Sequence, residues 1–125
     1  MKPEFRNLLT SDPELSMLSP GGIHWGLKPA SRRGDYITLQ RISGEPDRLI
    51  RGRSSLTSYR IQVDCYALNS PDADAIADRV QAILDGHRSE PFPGIFLDGV
   101  TDDIDGDEEQ PIYRTRMDFA AVHRG

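Results

Sequence analysis

With one cysteine in 125 residues, the chain can form neither an internal disulfide nor a zinc centre built on several thiolates. Cys65 alternates with apolar residues and has no activating base beside it, so it reads as a buried, inert thiol. Tryptophan occurs once, and aromatic residues make up only 7% of the chain, so the core must be compact and largely aliphatic. A thin core favours association, because neighbours supply burial that a small domain lacks. Basic residues are the minority: 15 Lys and Arg against 20 Asp and Glu leave a net charge of -5, which argues against nucleic-acid binding driven by bulk charge. Nowhere are there the roughly 18 consecutive apolar residues of a membrane span. The amphipathic opening MKPEFRNLLTSD lacks the apolar centre of a secretion signal, so a soluble protein made in the cytoplasm is expected. The glycines of SPGGIHWG lack the strand-to-helix setting and the lysine of a phosphate-binding loop.

What is present is organised as one domain, 1–125. Residues 3–10 carry Pro3 at a helix start and Phe5, Leu8 and Leu9 on one stripe, and Asp12 is placed to cap a second turn from Pro13. A short extended piece, IHW, leads into the basic loop GLKPASRRGD. Strands are predicted at 36–43 and 59–67. In the second, Tyr59, Ile61, Val63 and Cys65 point one way and Arg60, Gln62, Asp64 and Tyr66 the other. Asn69 or Ser70 caps a helix over 71–85, with Ala73, Ile76, Ala77, Val80, Ile83 and Leu84 at helical spacing and Gly86 at its exit. A strand at 95–100, an acidic loop and a last strand at 112–123 complete the chain. The fold expected is α+β: a sheet of about four mostly antiparallel strands, with the main helix and the N-terminal helix on one face. Its core is expected to draw on Ile37, Leu39, Ile61, Val63, Cys65, Ile76, Val80, Leu84, Phe96, Met117 and Phe119.

The candidate functional residues are charged. Asp103, Asp105 and Glu108 belong to the run DDIDGDEE, whose glycine does not fall where a calcium loop requires it, so a solvated or partner-binding loop is preferred to a metal site. Arg48, Arg51 and Arg53 lie in an excursion without interleaved aromatics, which favours subunit or partner contacts over DNA. Arg60 and Asp64 of the second strand, with Arg114, Arg116 and Asp118 of the last, form a face of mixed charge. That face can pair across a subunit boundary, line a hydrated channel or simply meet water. The three histidines are scattered, no nucleophile stands out beside an orienting acid, and no catalytic, cofactor-binding or metal-ligating set is assigned.

The words YITLQRISGE, SYRIQVDCYA, ADAIADRVQAILDG and GIFLDG, with IYRTRMDFAAVHR closing the chain, resemble the tail-completion, or tail terminator, family of long-tailed bacteriophages and gene transfer agents. The resemblance implies a non-enzymatic virion protein without cofactor. It would form a homo-oligomeric ring, by analogy a hexamer, at the head-proximal end of the tail. Its partners would be the tail tube protein and the head-tail connector or neck, with DNA passing through the lumen unread and no membrane involved. A neck component of the same particle, or a metal-dependent enzyme using the acidic loop, are the alternatives.

Overall fold

The computed structural model describes residues 1–46 and 56–125. The elements run α1 (Lys2–Thr10), α2 (Pro13–Leu18), β1 (Gly22–Trp25), β2 (Tyr36–Pro46), β3 (Leu56–Ala67), α3 (Ser70–Leu84), β4 (Gly94–Gly106) and β5 (Pro111–Arg124). The five strands form one sheet in the order β1-β2-β3-β5-β4. Three of its pairings are antiparallel, and β1 joins β2 in parallel. The α+β expectation holds with one strand more than the four foreseen. Four residues, GIHW, are too short for alternation to declare a strand, and β1 exists because Ile23 is buried against Ile37 of β2.

The caps are those the sequence calls for. Asp12 Oδ2 accepts from the Leu15 N–H at 2.9 Å, and Asn69 Oδ1 accepts from the Asp72 N–H at 2.9 Å, each satisfying a donor that the first helical turn leaves free. Gly86 takes the left-handed conformation expected at the helix exit, with φ +81; its N–H is donated to Ile95 O at 2.8 Å, tying the exit to β4, and the His87 N–H returns to Leu84 O in the last turn at 3.1 Å. α3 lays Ala73, Ile76, Ala77, Val80 and Leu84 over β3, β5 and the near part of β4, and α1 adds Phe5 and Leu9.

Two expectations need correction. Asp102, Asp103 and Asp105 do not lie in a loop: β4 continues through them to Gly106, and the turn is only 107–110. Arg114 of β5, paired with both Asp103 and Asp105, offsets the carboxylate repulsion that a lone acidic segment would suffer. Gly106, at φ +80, turns the chain out of the strand, and Asp107 Oδ1 accepts from the N–H groups of Glu109 and Gln110 at 3.0 and 2.8 Å. Phe96 is the second correction: it is 50% exposed, while Phe92 and Ile95 are fully buried. A bulge between Leu97 and Gly99 accommodates an extra residue, Asp98, and reverses the facing of everything before it.

A two-point ion pair ties the start of α2 to α3. Arg79 of α3 donates from Nε and Nη2 to Asp12 at 2.9 and 2.6 Å. The Arg79 guanidinium, then the Leu15 N–H, hold the Asp12 carboxyl down to about 2 from its usual 3.8. Because the folded value is depressed, this stabilisation is complete above about pH 4 and is lost as the pH falls towards 2. Asp12→Asn keeps a capping acceptor and loses the charge. It is expected to melt below the parent at pH 7 and to converge with it between pH 4 and 2; a constant gap in melts across that range would contradict the assignment.

Candidate functional site

The face of the sheet turned away from the helices is built in rows set by the strand register. Tyr36, Tyr66, Arg114 and Asp103 stand side by side; next come Thr38, Asp64, Arg116 and Thr101; then Gln40, Gln62, Asp118 and Gly99; then Ser43, Arg60, Ala120 and Phe96. The expected sharing of one face by Arg60, Asp64, Arg114, Arg116 and Asp118 is therefore observed, and Asp103 and Asp105 join it from β4.

Apart from Asp118, which has no ion-pair partner among the described residues, these charges close on one another within the subunit. Arg116 Nε donates to Asp64 Oδ1 at 2.9 Å, and Asp64 is 6% exposed, so the carboxylate depends on this partner and on Gln62 Nε2 at 3.2 Å. Arg114 pairs with Asp103 at 2.8 Å and with Asp105 at 3.2 Å. Its buried Nε has no hydrogen-bond partner. Arg60 reaches Asp98 at 3.4 Å, across the bulge. Tyr36 and Tyr66 stack at 4.6 Å with planes 13° apart. Burial, then Tyr66, raises the Tyr36 phenol above its ordinary value. On the opposite face burial, then the Asp64 charge, pushes the Cys65 thiol up, away from the reactive thiolate.

Glu108 lies exposed in the hairpin turn. Arg48, Arg51 and Arg53 fall outside the described residues. The residues that enclose that stretch, Pro46 and Leu56, stand at one end of the sheet, and the acidic hairpin stands at the other, about 40 Å away along a 12-residue strand. Asp98 and the tyrosine stack were not legible beforehand. Only the bulge brings Asp98 to Arg60, and only the β2-β3 register sets the two rings together.

The histidines are separate. His24 Nε2 lies 2.8 Å from Gly21 O, His87 Nε2 3.0 Å from Ser89 Oγ, and His123 Nε2 3.3 Å from Glu4 Oε2. Among the described residues no three of His, Cys, Asp or Glu are grouped to hold a metal ion, and no helix is long and apolar enough to cross a membrane.

A family model described as "Tail completion protein gp17" matches residues 4–124. None of the curated proteins matches. Among solved structures, a chain from one described as "Virion of native gene transfer agent (GTA) particle" aligns with a TM-score of 0.70 and 17% identity, covering 95% of this chain and 90% of that one. At that identity the likeness is one of fold.

Proposed function

The chain belongs to the tail completion protein family, and from that membership we propose that it forms a ring on the head-proximal end of a phage or phage-like tail tube, where it ends tube polymerisation and joins the tail to the head-side connector. Its role is structural and no chemistry is assigned to it. The observation that carries this reading beyond the family match is the charge ladder. Three arginines stand among five aspartates, namely Asp64, Asp98, Asp103, Asp105 and Asp118, with the arginines already engaged inside the subunit. Turned towards the axis of a ring, such a face is hydrated and negative on balance, so it repels phosphate and lets DNA pass unheld.

The helices then lie outside and the strand ends face along the axis. One end presents the acidic hairpin; the other leads into Arg48, Arg51 and Arg53, suited to a different neighbour in the stacked particle. By the family resemblance the ring is a hexamer.

Purified chain added to growing tubes is expected to halt them and to appear by electron microscopy as an extra layer at one tube end. Arg51→Glu with Arg53→Glu should weaken ring or tube association in light scattering without lowering the melting temperature. A chain that stays as single copies with and without tube protein, leaving tubes to lengthen, overturns the proposal. Finding it only on isolated connectors would make it a neck component instead.

A further inference from the structure

The two lateral edges of the sheet carry opposite charge at the same height along the strands. On the β4 side, 98–109 holds seven carboxylates and no cation. Asp98, Asp103 and Asp105 are drawn onto the sheet face by Arg60 and Arg114, but among the described residues Asp102 accepts only from Thr115 Oγ1 at 3.1 Å, and Glu108 and Glu109 are exposed. The lower part of this edge is already covered: Ile95 bonds to Gly86 and His87, and the Leu97 N–H donates to Asp85 Oδ1. The upper part, 99–106, lies beside no other strand among the described residues. Val100 and Ile104 stand there 52% and 62% exposed.

On the far side, β1 is not free to add a strand at Ile23, because the Ile23 carbonyl accepts from Arg6 Nε at 2.7 Å. At this margin runs the 26–35 loop, with Lys28, Arg32 and Arg33 against one carboxylate, Asp35; Arg32 reaches beside Gly22 of β1, and Lys28 Nζ stands over the Tyr36 ring at 5.3 Å. None of the three is in an ion pair among the described residues. Lys28 Nζ is held by the carbonyls of Pro29 and Arg32 at 3.2 and 2.6 Å, and Arg32 Nη2 donates to Pro20 O at 3.1 Å. Leu27 beside them is 90% exposed. The register sets the height: Trp25 is level with Leu39, Val63, Met117 and Val100, and Tyr36 is level with Tyr66, Arg114 and Asp103. The loop connects Trp25 to Tyr36, so it spans the height of 100–103.

We propose that the open β4 edge of one copy docks against the 26–35 loop of the next, forming the head-to-tail contact that closes the ring; the inference rests on the ring reading above. Each copy then offers one acidic and one basic edge, as a heterologous ring contact demands, and Leu27 has Val100 and Ile104 to cover. The loop and the 100–103 stretch of the open edge sit at one level, so that part of the contact needs no axial step.

The test is a charge swap, read by solution mass and by electron microscopy with tube protein present. One variant carries Arg32→Glu and Arg33→Glu, the other Asp102→Lys and Glu108→Lys. Each alone should associate at least about tenfold more weakly than the parent while melting normally. Mixed in equal amounts they should regain rings of alternating copies, since every contact is again complementary. Rings from either variant alone at parental strength, or failure of the mixture to recover, overturn the contact while leaving a ring-forming parent intact. A parent that never forms rings removes both readings. An acidic-edge variant that still forms rings but loses a separate basic protein assigns the edge to that protein and also overturns the inference.

Discussion

Val80→Asp is expected to abolish the cooperative melt. Val80 is fully buried in the middle of α3, facing the sheet. An aspartate there places a carboxylate in the apolar core cluster, a change that costs several kcal/mol even after the group takes up a proton. A domain of this size has a total stability of about 5–15 kcal/mol, and the helix it would lift is the one that covers β3 and β5. Val80→Ala gives the scale of packing alone. Removing two methyl groups' worth of contact should cost roughly 2 kcal/mol and leave a sharp transition at lower temperature. Circular dichroism melts of the parent and both variants decide the matter. A Val80→Asp protein that melts like the parent would mean that α3 turns a different side to the sheet.

The helix could be read in advance because its evidence is redundant. Asn69, Pro71, the 3.6-residue apolar spacing and Gly86 each point to the same bounds, and the structure agrees within a residue or two. β3 and β5 were legible for a similar reason, since both alternate cleanly and both have one face under helices. β1 was only an extended piece in the sequence because four residues carry no usable period. The reach of β4 was also hidden: Asp102, Asp103 and Asp105 look like loop residues until Arg114 is seen beside two of them. Such compensation is a tertiary fact, set by a register that no local pattern encodes. The charged face itself was visible as alternation in two strands. Its pairing inside one subunit, and the opposition of an acidic and a basic lateral edge, depend on strand order and become visible only once β1 and β4 take the two margins of the sheet.

The bulge in β4 supplies the sharpest contrast. Counting back by twos from Val100, which faces the helix side, places Phe96 inward, and it would then be core. The extra residue at Asp98 breaks the count, so Ile95 and Leu97 face inward and Phe96 shares the outer row with Arg60 and Ala120. The core aromatic of this segment is Phe92, which meets Phe5 of α1 edge-on at 5.9 Å and His123 of β5 at 5.1 Å. Phe92→Ala should therefore cost about 3–5 kcal/mol, because it removes a large buried side chain and opens a cavity where α1 and β5 meet. In a chain of this length that lowers the melting temperature by roughly 10–20 °C. Phe96→Ala should cost less than about 1 kcal/mol, since half of the residue is already in water and its ring lies over Gly94, which has no side chain to pack against it. Paired thermal melts make the comparison direct. The reverse order, with Phe96→Ala the more damaging, would place the bulge elsewhere, return Phe96 to the core and dismantle the row that carries Arg60 beside Asp98.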